Sequence, residues 1–233
     1  MSGSDRHHGG DAVRVRDLPT RVFHWTLAAL VVGSVSSAWI GGHAMAWHLG
    51  SGYAVFTLLA FRILCGLAGG RWSRFASFVY TPATPLRCLR GESRADEHHD
   101  VGHNPLGAFS VFGLLAILAA QVATGVFADD EMATTAPLTK FVSDATISMA
   151  SRWHRNVGQW LIVALVVPHI AAILFYLSKK QRNLLRPMLT GDKWLPAHVP
   201  AAIDNPRSHL LALALALFAP CAAGVTWVVG LGD

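Results

Sequence analysis

Four histidines lie within or at the ends of long apolar segments, and they are the side chains of this sequence best suited to chemistry: His24, His48, His154 and His169. A polar ring in a membrane interior is costly unless it is hydrogen-bonded or coordinated, so each of the four is a candidate functional residue. Imidazole nitrogen binds iron, copper, nickel and zinc. The arrangement of the segments that carry these rings decides which of them meet.

The composition indicates a membrane protein. Of the 233 residues, 52% are hydrophobic and only 14% are charged, whereas about 25% are charged in ordinary globular proteins. Four stretches contain no Asp, Glu, Lys or Arg, namely 22–61, 101–128, 156–178 and 208–232. Together they make up about half of the chain.

Each charge-free stretch is long enough to cross a bilayer, whose hydrocarbon core takes roughly 20 helical residues. The first stretch holds two spans, with Gly41 and Gly42 at the break between them. We therefore predict an all-α membrane protein, a bundle of about five transmembrane helices in which the first four form the core. The predicted spans are 22–40, 48–67, 105–127, 156–177 and 209–231.

Positive charge is concentrated on one side of this predicted bundle. Fifteen of the nineteen Lys and Arg residues lie in the segments 1–21, 68–104 and 178–208, which share a side in a five-span chain. The net charge of +5 therefore does not indicate a nucleic-acid partner. By the positive-inside rule the N-terminus is cytoplasmic and the C-terminus faces outward. A cleaved signal peptide is the alternative interpretation of the first span.

Antiparallel passage sorts the four histidines into two pairs. His24 begins span 1 and His169 lies late in span 4, so this inner pair is in the cytoplasmic half. His48 and His154 form an outer pair, at the start of spans 2 and 4. The 15 residues between His154 and His169 correspond to about 22 Å of α-helix and to about 60° around its axis. Two stacked sites, each with two imidazoles, are what two bis-histidine b-type haems require. Interfacial histidines bonded to the backbone or to headgroups are the alternative.

Six sequence blocks follow one another in a recognisable order. They are VRDLPTRVFHW at 15–25, HLGSGY at 48–53, FRILCG at 61–66, RFASF at 74–78, GHNPLGA at 102–108, and the segment from His154 to His169. In this combination the sequence resembles the bacterial cytochrome b561 and nickel-iron hydrogenase b-type cytochrome subunit family, over roughly residues 13–180. Cys65 stands where that family usually has tryptophan.

The resemblance implies a di-haem cytochrome of the bacterial inner membrane, with two haem b groups, that passes electrons between a redox partner and the quinone pool. Carried over by position, His24, His48, His154 and His169 correspond to the family's axial haem ligands. The chain then divides into a cytoplasmic tail at 1–12, a four-helix di-haem core at 13–180, a cytoplasmic connector at 181–208 and a fifth helix at 209–233.

Other polar residues near these spans have two interpretations each. Arg62 is the only basic residue well inside a predicted span; it either pairs with a propionate of the inner haem or snorkels to the headgroups. His43 is an alternative outer ligand, although the HxxxGY pattern selects His48. Polar residues in otherwise apolar helices either bond between helices or line a quinone pocket, and they are Gln121, Thr124 and Gln159.

The expected partners are membrane lipid, quinone, and either a periplasmic cytochrome or a dehydrogenase or hydrogenase subunit. The acidic loop 128–154 either docks a basic electron carrier or is a solvated connector. Whether the chain is an enzyme stays open, because a superoxide:quinone oxidoreductase and a haem-bearing anchor subunit of a hydrogenase-like complex are both alternatives. A metal-ion transporter would need further ligands beside the histidines, and the predicted spans contain no Asp or Glu.

Overall fold

Long helices make up most of the structure, a computed structural model that describes residues 10–14, 17–68, 74–77, 79–81, 84, 105–130, 134–181, 183–196 and 207–232. In chain order the helices are α1 (Leu18–Ile40), α2 (Met45–Ala68), α3 (Pro105–Gly125), α4 (Asp144–Trp153), α5 (Gln159–Ser178), α6 (Arg186–Thr190) and α7 (Arg207–Gly230). Five stretches of the described residues are long and apolar enough to cross a membrane: Leu18–Ile40, Gly42–Ala68, Leu106–Gly125, Asp144–Ser178 and His209–Gly230. The predicted five-helix membrane bundle is confirmed.

A capping residue defines the start of α1, and two glycines define its end. The Asp17 side chain caps the helix by accepting a 2.8 Å hydrogen bond from the Thr20 amide, as a residue at this position commonly does. The helix ends at Gly41 and Gly42, whose φ angles are 68° and 54°. Residues with side chains rarely adopt this left-handed region, so the glycine pair allows the chain to turn back into α2.

The fourth span is longer than the sequence indicates. We predict it at 156–177, but the helical stretch runs from Asp144 to Ser178, 35 residues in all. At 1.5 Å per residue it is about 52 Å long, which exceeds a hydrocarbon core of about 30 Å. Its first turns carry Asp144, Arg152 and Arg155, and such charged turns extend beyond the hydrocarbon.

The helices pack around one apolar core. The antiparallel hairpin of α1 and α2 lies beside α3, which packs against α5, and α7 packs against α2 and α1. The buried side chains of the core come from all five spans, and they are Phe23, Leu27, Val55, Leu58, Leu59, Phe61, Leu118, Ile162 and Cys221. Large apolar side chains such as Ile40 and Leu215 are exposed on the outside, where a bilayer supplies an apolar solvent.

A small sheet joins the start of the chain to the connector before α7. Strand β1 (Gly10–Arg14) pairs antiparallel with β2 (Asp192–Pro196). Nearby, the Trp25 indole donates a 3.1 Å hydrogen bond to the Met188 carbonyl oxygen. The two segments therefore lie on the same side of the bundle, which agrees with the even number of spans between them in the sequence, four. This strand begins within the segment 1–12 that the sequence assigns to a tail, and residues 1–9 lie outside the described part.

Candidate functional site

The outer pair of histidines meets ring to ring. His48 lies in the first turn of α2, and His154 follows the last residue of α4. Their ring centroids are 5.8 Å apart, and the ring planes are inclined by 84°. Two helices that are distant in sequence thus bring two imidazoles to one place, as the spacing predicts for the outer depth.

Hydrogen bonds to the backbone orient both rings. Nδ1 of His48 lies 2.9 Å from the carbonyl oxygen of Ser34 on α1, and Nδ1 of His154 lies 2.9 Å from that of Gln121 on α3. Because a carbonyl oxygen only accepts, each Nδ1 carries the proton and donates it. Each Nε2 then keeps its lone pair, which is the tautomer that coordinates a metal through Nε2.

This arrangement fits a haem iron held between the two rings. With metal–nitrogen distances of about 2 Å on opposite sides of a metal, two imidazole centroids are about 6 Å apart, close to the separation of 5.8 Å between the rings. Among the described residues, no three His, Cys, Asp or Glu side chains form a group that would hold a metal ion. A bis-histidine haem would need only two protein ligands at its iron, so such a site would not require a third.

Glycine lets α3 approach the His154 ring. A Cβ at Gly125, the last residue of α3, would lie 2.8 Å from Cε1 and 3.2 Å from Nδ1 of His154. Separations this short are rare between real side chains, so any larger residue would displace the ring. Gly125 is thus part of the surroundings of the outer pair, although its sequence context gives no signal of this role.

His154 begins a π-helical turn that runs from His154 to Gly158. A π-helical turn takes up about one residue more than an α-helical turn and is often found at functional sites. The 15 residues from His154 to His169 therefore rotate the helix by about 14 α-helical steps, which leaves the two side chains about 40° apart instead of about 60°. Both histidines still lie on one side of this long helix.

The inner pair is held by other contacts. The His24 ring lies on α1 with its centroid 5.3 Å from that of Trp25, at an angle of 79°. Nδ1 of His169 on α5 lies 3.4 Å from the hydroxyl oxygen of Ser110 on α3. Both histidines are half-buried. Ring-to-ring proximity is shown for the outer pair, His48 and His154.

Arg62 is buried within the bundle, with 6% of its surface exposed. Its guanidinium carbon lies 4.8 Å from the centroid of the Phe75 ring, a cation–π distance. Arg62 also lines a small cavity together with Asp17 and Cys65. This burial disagrees with snorkelling to the lipid headgroups, because a snorkelling side chain would leave its charged end exposed.

Other histidines lie away from both pairs. His43 is exposed in the short 3-10 turn before α2, and His209 is exposed at the start of α7. His103 lies outside the described residues.

Two residues of the site are not predicted from the sequence, Ser34 and Ser110. Their bonds to His48 and His169 depend on how α1 and α3 face the neighbouring helices. Gln121 is a candidate from the sequence, because it is polar within an apolar span, and in the structure its side chain is hydrogen-bonded to His154.

The chain matches a known protein family over most of its length. The family model described as Prokaryotic cytochrome b561 matches residues 15–191, about three quarters of the chain. The chain belongs to the prokaryotic cytochrome b561 family. Comparisons with curated proteins and with solved structures give no match. The resemblance of the sequence blocks to this family is therefore confirmed.

Membership defines the chemistry at a coarse level. A cytochrome b561 is a multi-pass membrane protein that binds haem b and transfers electrons. The matched residues include both histidine pairs and Arg62, whereas α7 (Arg207–Gly230) lies beyond them. The fifth helix is thus a part of this cytochrome b561 that the family match does not explain.

Proposed function

We propose that this cytochrome b561 binds two haem b groups and carries electrons between a partner at its outer face and quinone. His48 and His154 hold the outer haem, and His24 and His169 hold the inner one. The observation that carries the proposal is the outer pair, whose rings lie 5.8 Å apart and whose Nδ1 atoms both face backbone carbonyl oxygens.

When bound, haem b supplies reversible one-electron chemistry. The chain's own contribution is to hold four imidazoles at two depths of the bundle, with the proton of each outer ring on Nδ1. The carbonyl oxygens of Ser34 and Gln121 accept the Nδ1 protons of the outer rings, which fixes the rings and makes Nε2 a better ligand. Two histidine ligands at one haem iron would leave it no open position for a substrate, so a haem held by these residues would exchange electrons and not activate a bound molecule.

Arg62 is proposed to face a propionate of the inner haem. Its guanidinium is buried at the depth of His24 and His169, and its planar donors suit a carboxylate. A fixed positive charge near a haem favours the reduced state and raises its potential. Arg62 thereby tunes the haem on the side where α1 begins and α2 ends.

Quinone is the proposed electron-transfer substrate, and the positive-inside rule supports a bacterial inner-membrane location with a cytoplasmic N-terminus and a periplasmic C-terminus. A periplasmic cytochrome or a dehydrogenase or hydrogenase subunit is the proposed partner at the outer face. Superoxide:quinone oxidoreduction is a second form of the same activity. The chain segment after α3 is suited to docking a basic partner, because it carries Asp129 and Asp130.

The experiment is a pyridine-haemochrome assay on the detergent-purified protein, with redox-titrated visible spectra. Two b-type haems per chain are expected, with His154→Ala losing the outer haem and His169→Ala the inner one. His43→Ala is the matched control, because His43 is exposed and lies outside both pairs. Full haem content in both pair variants would refute the ligand assignment.

A haem-bearing anchor subunit is the second candidate, and the observation in its favour is α7. This helix lies beyond the family match and packs along α2, so it offers a surface for assembly. Reduction of the purified protein by a quinol separates the two candidates. A carrier is reduced by quinol, whereas a protein whose haem serves structure alone stays oxidised.

A further inference from the structure

Gln121 on α3 makes two hydrogen bonds with His154, one to its backbone and one to its ring. Its side-chain Nε2 donates a 2.9 Å hydrogen bond to the backbone carbonyl oxygen of His154. Its own backbone carbonyl oxygen accepts the 2.9 Å bond from Nδ1 of the His154 ring. One residue therefore contacts both the backbone and the ring of the same histidine, from a different helix.

The π-helical turn presents the His154 carbonyl to this amide. Within a π-helical turn a carbonyl bonds to the amide five residues ahead instead of four. A carbonyl oxygen has two lone pairs, so it accepts a bond from a neighbouring helix as well. An amide side chain in an apolar span is costly without such a partner, and Gln121 finds one in His154.

Gly158 makes the space for the Gln121 amide. A Cβ at Gly158 would clash with Oε1 of Gln121 and would lie 3.3 Å from Nε1 of Trp153. The backbone of Gly158 has φ −62° and ψ −40°, angles that any residue adopts in a helix. Glycine is therefore required here for close approach and not for its conformational freedom.

We propose that Gln121 is a positioning residue for the outer haem, and that Gly158 provides the space in which it works. The amide of Gln121 fixes the backbone of His154 at the π-helical turn, while the carbonyl of Gln121 fixes the ring. Together they determine the depth and the direction of Nε2. The proposal rests on the proposed function, in which His154 is an axial ligand.

The test uses the full-length holoprotein and compares Gln121→Met, Gly158→Ala and the double variant. Methionine preserves the length of the side chain and the backbone carbonyl but removes the amide donor. The controls are Thr57→Val, whose buried hydroxyl bonds within its own helix, and Gly113→Ala, whose added Cβ would lie 3.7 Å from Leu165, an ordinary contact. The readouts are the low-spin electron paramagnetic resonance signal of the outer haem, assigned by its loss in His154→Ala, its midpoint potential and its retention.

Gln121→Met is expected to shift the signal and the potential of the outer haem and to weaken its retention by up to about tenfold, because the backbone of His154 loses its bond to α3 while the ring keeps its own; this is the lower end of the effect of losing a bond to the ligand ring itself. The inner haem and the controls are unchanged. The double variant is expected to equal the single variants, because both remove the same bond. If Gly158→Ala does not fold, Gln121→Met alone decides.

Two results overturn different statements. An outer haem with the wild-type signal, potential and retention in Gln121→Met overturns the positioning role and leaves the proposed function intact. A wild-type protein without haem, or a His154→Ala variant that keeps both haems, overturns the proposed function itself. An additive double variant also counts against the positioning role, since the two residues would then act separately.

Discussion

Phe61 on α2 and Phe218 on α7 lie edge to face, with 5.8 Å between their ring centroids and 77° between their planes. Phe61 is buried in the core of the bundle. The fifth helix therefore shares a core with the four helices that carry the histidines, although it lies beyond residues 15–191 of the family match. Association of helices in lipid depends on such packing, because lipid tails are as apolar as the side chains.

Phe218→Ala is expected to lower the free energy of unfolding by about 1 kcal/mol, the usual value of an aromatic pair, without loss of haem. Thermal unfolding in detergent, monitored together with the haem spectrum, measures both quantities. Leu215→Ala on the same helix is the matched control, since Leu215 is exposed and faces lipid. Equal losses of stability in the two variants would contradict a specific contact between α2 and α7.

Gly125→Ala is expected to reduce binding of the outer haem, because the new Cβ would lie 2.8 Å from Cε1 of His154 and would push the ring aside. The ratio of haem to protein and the spectrum of the remaining haem measure the effect. Gly224→Ala is the control, since a Cβ there meets nothing within 4 Å. Full occupancy of the outer haem in Gly125→Ala would show that the ring tolerates the displacement.

Much of the fold follows from the sequence, because charge-free stretches mark membrane spans and a glycine pair marks the break between α1 and α2. The sequence does not reveal the start of α4 at Asp144, and the reason is physical. This part of the helix is amphipathic and carries charge, so hydropathy does not distinguish it from a loop. The pairing of β1 with β2 depends on two segments far apart in the sequence, which no local pattern reveals.

For the site, the sequence predicts the depth of each histidine but not the orientation of its ring. Depth follows from the position of each histidine within its span, so the sequence predicts the proximity of His48 to His154. Orientation does not follow, because the acceptors at Ser34 and Gln121 are backbone carbonyls that every residue possesses. The sequence does not reveal the π-helical turn at His154 either, and this turn changes the angle between His154 and His169 around the helix axis from about 60° to about 40°.

The orientation of the chain in the membrane predicts which lysines an impermeant reagent reaches. Lys140 and Lys180 are both exposed and are separated by one span. In a background that lacks the native cysteines, Lys140→Cys is expected to react with an impermeant maleimide in intact spheroplasts, whereas Lys180→Cys reacts only after lysis. The opposite labelling pattern would invert the proposed topology and would place the outer haem on the cytoplasmic side.

Arg62→Gln is expected to lower the midpoint potential of the inner haem, because the buried guanidinium favours the reduced state. A tenfold change in the one-electron equilibrium corresponds to about 59 mV, and a shift of this order is expected from loss of a buried charge. Arg62→Lys keeps the charge and is expected to shift the potential less. Arg186→Gln is the control, since Arg186 is exposed. Potentials unchanged in Arg62→Gln, at full haem content, would separate Arg62 from the haem and leave its stacking on Phe75 as its role.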